Sequence, residues 1–405
     1  MTITLKQLAF LSSPSGEQLL ETLTNDDLSE ANRLRLLTRL RRQYAPDDAA
    51  AALTLAMLRQ QAVGKFGEDA GRLFFTPDAL EQASDPLVRA YRARAAAGRS
   101  VVDAGCGIGA DSLAMAQAGG EVLGLDLDPV RVAMARLNAA ALDVAARFEV
   151  ADIRAGLPDS ELAFFDPARR DANGRRLHHV EQYEPPLSTI RRWKQALIVV
   201  KLSPGVALDQ LAGYTGLVEF ISVDGALKEA TLWLGAGQGL KATLLTEDGA
   251  LHWQNADPAR ATLSEPRAWL IEPDPALLRA GLVGDLAVAL GGAQLDETIA
   301  YITAETWNGT PWARAWKVLD WMPFNVKRLR AYLRERRVGR VTVKKRGSAV
   351  TPEALVPQLK LKGGNAVTLA LTRCRGQQIV IVCEEQPTPG QSDCCAPAPG
   401  TTPRQ

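Results

Sequence analysis

Cysteine and histidine are scarce in this 405-residue chain, which carries five of the first and three of the second. Two of the cysteines, Cys394 and Cys395, are neighbours in a Pro/Gly-rich tail, which makes a poor disulfide framework. The histidines (His178, His179, His252) and the scattered cysteines show no zinc-ligand spacing, so a metal-free site is expected. Long apolar runs are missing as well. AAALTLAML, ahead of Arg59, falls far short of the roughly 20 residues that span a bilayer. The opening MTITLKQLAF has one lysine and no apolar run of signal-peptide length. Secretion and membrane insertion are therefore set aside, and a reducing cytoplasm is the expected location.

Net charge is almost absent too, at +1, but its distribution is uneven. Between Lys327 and Arg375 fourteen basic residues face two acidic ones, Glu335 and Glu353, a local net of +12 that leaves the remainder at −11. A basic module on an acidic body is the electrostatic footprint of a phosphate-backbone binder, although a charge run is also what a solvated helix face looks like. The runs at 327–330, 334–337 and 344–346 fall on a predicted helix followed by a strand, which makes Lys344, Lys345 and Arg346 candidate RNA contacts.

At 46% hydrophobic and 23% charged, the chain has the balance of a globular protein of two or three domains. Residues 1–63 read as an all-helical module with leucines at three- and four-residue spacing. From 64 to 235 the pattern becomes α/β. RSVVDAG, GGEVLGLDLD, AARFEVADI, LAFFDPA, ALIVVKLSP, LVEFISVDG and ATLWLG are short aliphatic runs, most of them separated by helix-length segments, which predicts a mostly parallel sheet covered on both faces. Residues 236–321 read as a connecting region with a hairpin at LLTEDGALHWQ, helices in PALLRAGLVGDLAVALGG, and four tryptophans expected to anchor a core or domain interface (Trp307, Trp312, Trp316, Trp321). Residues 322–385 read as a compact α+β module, and 386–405 as a disordered tail.

Chemistry concentrates at predicted strand ends. VVDAGCGIGADSLAMA runs from an aliphatic strand ending in Asp103, through Gly105, Gly107 and Gly109, into a helix beginning near Asp111. A dinucleotide fold uses G-x-G-x-x-G to seat a pyrophosphate on a helix N-terminus. Here the third glycine comes one residue early, and the flanking acids repel a diphosphate. They suit a ligand with a sulfonium and an ammonium: Asp103 accepts from the ammonium while side-chain-free glycine amides approach the sugar and carboxylate. Asp126 at the next strand end is placed to take both ribose hydroxyls, with Asp128 better suited to cap the following helix. Asp152 ends a third strand, where it can accept from an adenine amine, and FFDPARR at 164–170 ends a fourth. Ligands of open α/β sheets lie beyond these carboxyl ends, so all four converge on one crevice.

VVDAGCGIG, GLDLD, VADI and FFDPARR together resemble the motifs of class I S-adenosylmethionine-dependent methyltransferases. KFGEDAGRLFFTPDALEQ, EPDPALLRAGLV, MPFNVKRL and VTVKKRG are similar to a bacterial methyltransferase group with a THUMP-like C-terminal part, and FTPDALEQ resembles the opening helix of the trimethylguanosine synthases. The resemblance implies a seven-stranded, mostly parallel Rossmann-like sheet and S-adenosyl-L-methionine as cofactor. It also implies RNA, as rRNA or tRNA, for substrate, with an exocyclic nucleobase amine as the nucleophile. It gives cofactor roles to Asp103, Gly105, Gly107, Asp126 and Asp152, with Gly109 in the same loop, and sets Asp166 to Arg169 at the border of the target. For methyl transfer Asp166 is expected to accept from the attacking amine and Pro167 to fix the loop as catalytic residues, with catalytic Arg169 and neighbouring Arg170 gripping phosphate or a base edge. Amine-methylating nucleic-acid enzymes usually follow Asn/Asp/Ser-Pro with a second proline and an aromatic ring, where this chain has Ala168 and Arg169. Two other readings stay open: methylation of a small molecule or protein, and a non-catalytic RNA-binding factor that retains the fold.

Overall fold

The computed structural model describes residues 3–170 and 174–385, in two compact units, Met1–Ala256 and Asp257–Gln405. The tail expected to be disordered, 386–405, lies outside the described residues.

The first unit opens with helices α1 (Leu5–Leu11), α2 (Pro14–Leu23), α3 (Arg33–Leu40) and α4 (Pro46–Phe66). Thr4 and Ser13 cap the first two by accepting from Gln7 N and Gly16 N, and Pro14 and Pro46 sit in first turns, where no backbone donor is needed. Their leucines form one core with Phe74 and Phe75 and with Ile108 and Met134 of the α/β part, so this helical layer packs directly behind the glycine loop. Two short helices follow, α5 (Pro77–Gln82) and α6 (Pro86–Ala93).

The α/β part then alternates β1 (Ser100–Ala104), α7 (Ala110–Gln117), β2 (Glu121–Asp126), α8 (Pro129–Leu142), β3 (Arg147–Val150), β4 (Leu162–Phe165), β5 (Leu197–Leu202), β6 (Leu217–Val223), β7 (Ala226–Leu234), β8 (Gly239–Thr246) and β9 (Gly249–Gln254). Spatial order is β3-β2-β1-β4-β5-β7-β6-β8-β9, parallel from β3 to β5, with β7 running antiparallel between β5 and β6. The sheet has nine strands where seven were expected. The first seven hold the expected mostly parallel arrangement; the extra two are the LLTEDGALHWQ hairpin, whose first strand pairs parallel with β6. Among the described residues, the connection from β4 to β5 carries the 3-10 segments Val180–Gln182 and Leu187–Arg192, and that from β5 to β6 carries Leu208–Leu211, where helices were expected. Pro185 and Pro186 interrupt the first of these connections.

The second unit carries β10 (Trp269–Pro273), α9 (Pro275–Arg279), α10 (Val283–Ala289), β11 (Ala293–Asp296), β12 (Ile299–Ala304), β13 (Ala313–Pro323), α11 (Val326–Glu335), β14 (Val338–Lys345), α12 (Pro352–Leu359), β15 (Asn365–Cys374) and β16 (Gln377–Glu384). One sheet, ordered β11-β12-β10-β13-β16-β15-β14, joins the region read as a connector to the basic module. Leu329 and Leu333 of α11 and Leu355 and Leu359 of α12 pack on Leu369, Leu371, Val380 and Val382. Trp312 and Trp316 are buried, while Trp307 and Trp321 are half-buried.

Candidate active site

A cavity of about 360 Å³ opens at the carboxyl ends of β1 to β4. Its walls include Asp103, Gly105, Gly107, Asp126, Asp166 and Lys201. The strand ends supply polar groups here because each chain leaves the sheet at this edge, and parallel strands bring those exits side by side. Ala79, Gln82 and Ala83, from α5 and its end, close another side.

Backbone geometry explains the glycines. Gly105, Gly107 and Gly109 have φ of +90°, +54° and +84°, which side-chain-bearing residues rarely adopt. At Gly109 an added Cβ would also lie 3.1–3.2 Å from Ala135 and Phe148, so this glycine faces the interior and does not line the cavity. Gly107 N donates to Asp126 Oδ2 and Asp128 N to Asp126 Oδ1, both at 2.9 Å, so one carboxylate ties the loop to the turn after β2. Asp128 in turn caps α8 by accepting from Val130 N at 2.8 Å. Buried Asn138 braces the loop from below: its Nδ2 donates to Ile108 O at 3.0 Å and to Phe74 O at 3.1 Å, and its Oδ1 accepts from Phe74 N at 2.7 Å.

Asp103 is 1% exposed; Ser112 donates to its Oδ2, and no donor among the described residues reaches Oδ1. Burial pushes its pKa up to about 8, and the negative charges of Asp111, Asp166 and Asp126 push the same way against the Ser112 hydrogen bond. A buried acceptor without a donor, among carboxylates and beside a cavity, is a place where a cation gains most. Asp111 behaves oppositely. Burial works against its charge, but Arg92, Lys201 and Arg89 outweigh that and hold its carboxyl below the usual range. Arg92 is buried and pairs with both Asp111 and Glu229 of β7, and its Nη2 donates to Ser84 Oγ at 2.9 Å. Cys106 is buried between loop glycines, and burial first, then Asp103 and Asp126, raise its thiol well above the ordinary value, which does not suit a nucleophile.

Asp166, at the end of β4, pairs with Lys201 Nζ at 2.7 Å, and Lys201 also donates to Gln82 O at 3.2 Å. Ala168 exchanges backbone hydrogen bonds with Glu184, N to O at 2.9 Å and O from N at 3.0 Å, which fixes the turn containing buried Pro167. Arg169 and Arg170 point elsewhere, into a second cavity, where Arg170 pairs with Glu81.

Asp152 is not among the cavity residues; there the wall is Ala151, Ile153 and Arg154. Its carboxylate accepts from Arg154 N at 3.0 Å and forms a two-pronged pair with the Arg154 guanidinium, whose hydrogen bonding lowers its pKa. In the second unit the three expected RNA contacts divide. Lys344 and Arg346 both pair with Glu272, at 2.7 and 3.3 Å, and lie over the rings of Trp316 and Tyr301, whereas Lys345 is exposed. Sequence reasoning missed Lys201, Arg92 and Asn138. For Lys201 a signal was present, a lone cation inside the apolar run ALIVVKLSP.

Residues 101–193 match a family model described as a methyltransferase domain, residues 313–385 one described as THUMP domain-like, and residues 4–62 a domain of unknown function. The chain is 35% identical over 337 residues to an uncharacterised S-adenosylmethionine-dependent methyltransferase of Mycobacterium tuberculosis strain CDC 1551 / Oshkosh, covering 81% of this chain and 93% of the relative. The chain belongs to the S-adenosylmethionine-dependent methyltransferases. The relative of strain H37Rv gives the same figures. A crystal structure of a Porphyromonas gingivalis W83 protein described as a methyltransferase shares the fold, with a TM-score of 0.75 at 20% identity over 95% of this chain and 99% of that one. The cofactor of this methyltransferase is S-adenosylmethionine, and the cavity fits it: the buried Asp103 Oδ1 awaits a donor, and the loop amides approach without side chains. Among the described residues no group of three or more His, Cys, Asp or Glu is arranged to hold a metal ion, and no helix is long and apolar enough to cross a membrane.

Proposed function

We propose that this methyltransferase acts on RNA, at an exocyclic amine of a nucleobase, with guanine the base its resemblances favour. The observation that carries the substrate class is the basic face within the THUMP domain-like part. Lys327, Arg328, Arg334, Arg336, Arg337, Arg340 and Lys345 are all exposed there, on α11, the turn after it and β14. Exposed arginines and lysines dense on adjacent elements suit a phosphate backbone, which they hold without reading sequence. Lys344 and Arg346, occupied by Glu272, play a smaller part in this reading than Lys345.

In the cavity Asp103, Gly105, Gly107 and Asp126 hold the cofactor, Asp103 taking the ammonium and Asp126 the ribose hydroxyls. Asp152 serves the adenine only by releasing Arg154. When bound, S-adenosylmethionine supplies an electrophilic methyl group on a sulfonium. The protein's task is then to place a nucleophile about 3 Å from that carbon in a site closed to water. Lys201 occupies Asp166 Oδ2 and so fixes the carboxylate; Oδ1 accepts from the attacking amine and orients its lone pair. Buried Pro167 holds the turn that sets this geometry, and Arg169 borders the entering nucleotide.

The test is transfer of labelled methyl groups from S-adenosylmethionine into total RNA by the purified protein and by Asp166→Asn. The reading expects label in rRNA or tRNA with the wild type and at least a hundredfold less with the variant. Label confined to protein or small molecules refutes it.

A further inference from the structure

The second cavity, about 480 Å³, shares Gln82, Ala83 and Lys201 with the cofactor cavity. Its walls carry six lysine and arginine side chains against three carboxylates. The three carboxylates are already matched: Glu81 pairs with Arg170, Asp85 with Lys228 at 3.1 Å, and Glu229 with Arg92 behind the wall. Two of the lysines are committed as well. Lys201 pairs with Asp166, and Lys65 Nζ donates to the carbonyls of Leu80, Glu81 and Ala83 at 2.8–2.9 Å, fixing the segment between the two cavities.

This leaves Arg169 and Arg176. Neither guanidinium has a hydrogen bond or ion pair among the described residues, yet their backbones are held: Leu177 N donates to Arg169 O at 2.8 Å, and Arg170 and Arg176 form an antiparallel bridge. Two unmatched guanidiniums lining one cavity next to the reacting groups match an oxyanion with several acceptor oxygens, such as a phosphate ester. Arginine presents parallel N–H donors to phosphate in fixed geometry, and two of them suit phosphate better than a single carboxylate.

We infer that Arg169 and Arg176 form a phosphate subsite, which seats a phosphate ester of the substrate while the atom to be methylated lies beside Asp166. This deepens the RNA reading and rests on it for the polymer, though not for the phosphate. The phosphate is either a terminal monoester or an internal diester of the chain.

Calorimetric titration of the full-length protein, saturated with S-adenosylhomocysteine, separates these sources. Ribose 5-phosphate is the monoester probe and uridylyl-uridine the diester probe. The inference expects at least one probe to bind, and expects Arg169→Ala/Arg176→Ala to weaken it at least tenfold. Arg169→Lys/Arg176→Lys, which keeps charge but loses the fork, should weaken it less. S-adenosylhomocysteine affinity within twofold of wild type certifies that the variants fold. Failure of both probes to bind the wild type, or equal affinity in the alanine variant, overturns the subsite. Loss of phosphate affinity in a protein that methylates no RNA sinks the RNA reading and keeps the subsite. RNA methylation undiminished in the alanine variant at limiting RNA does the reverse.

Discussion

Asp103 should make cofactor binding depend on pH. In the cofactor-free protein its carboxyl, pushed up to about 8 by burial, is mostly protonated at neutral pH, whereas the unfolded chain ionises near 3.8. Stability of the cofactor-free protein therefore falls as pH rises through that window, because the folded state holds a proton that the unfolded chain has lost. A ligand ammonium needs the ionised form, so binding below pH 8 expels a proton. The ionised fraction is roughly 1% at pH 6 and about a quarter at pH 7.5, so affinity should rise roughly 20-fold over that range. The ligand's own α-ammonium, with an ordinary pKa of about 8, stays mostly charged there. Calorimetry of S-adenosylhomocysteine in buffers of different ionisation enthalpy measures both the affinity and the released proton. Asp103→Asn should remove the slope and, at pH 7.5, cost roughly tenfold to hundredfold in affinity, the worth of one charged hydrogen bond. A flat wild-type profile, or the same slope in the variant, would refute the assignment of Asp103 to the ammonium.

Arg92→Met should destabilise the first unit by roughly 3–5 kcal/mol in urea unfolding, since Asp111 and Glu229 lose the buried cation they share, and Glu229→Gln added to it should recover part of the loss. Gly109→Ala, at φ +84° with Phe148 and Ala135 3.1–3.2 Å from the new Cβ, should lower stability by roughly 1–3 kcal/mol and weaken cofactor binding by shifting the loop; unchanged values for both would contradict the account. RNA affinity measured against salt should lose roughly one unit of slope for each of Lys345→Ala and Arg337→Ala, and less for Lys344→Ala, whose cation is held by Glu272.

What was legible in the sequence follows from local physics. Asp103, Gly105, Gly107, Asp126 and Asp166 stand out as polar or side-chain-free residues where apolar runs end, and parallel strands do bring those ends together. Lys201 stands out as a lone cation in an apolar run, but its role was not legible because Asp166 lies 35 residues away, and Arg92 was hidden because Glu229 lies 137 residues away. Asp152 shows local competition, since an Asp two residues before an Arg folds back on its own turn. Strand alternation divides 344–346, sending Lys344 and Arg346 to the face of Glu272 and leaving Lys345 to solvent. The strands β10 and β13 were not legible because they pair with each other across about 40 residues of chain, and charges such as Glu272, Arg314 and Lys317 interrupt their apolar pattern.

Mass spectrometry of nucleosides from cells with and without this methyltransferase tests the central claim most directly. One methylated nucleoside carrying the methyl on an exocyclic nitrogen should vanish from the RNA of deficient cells and return with the wild-type protein but not with Asp166→Asn. Identical nucleoside profiles in the two cell types would contradict RNA as the substrate.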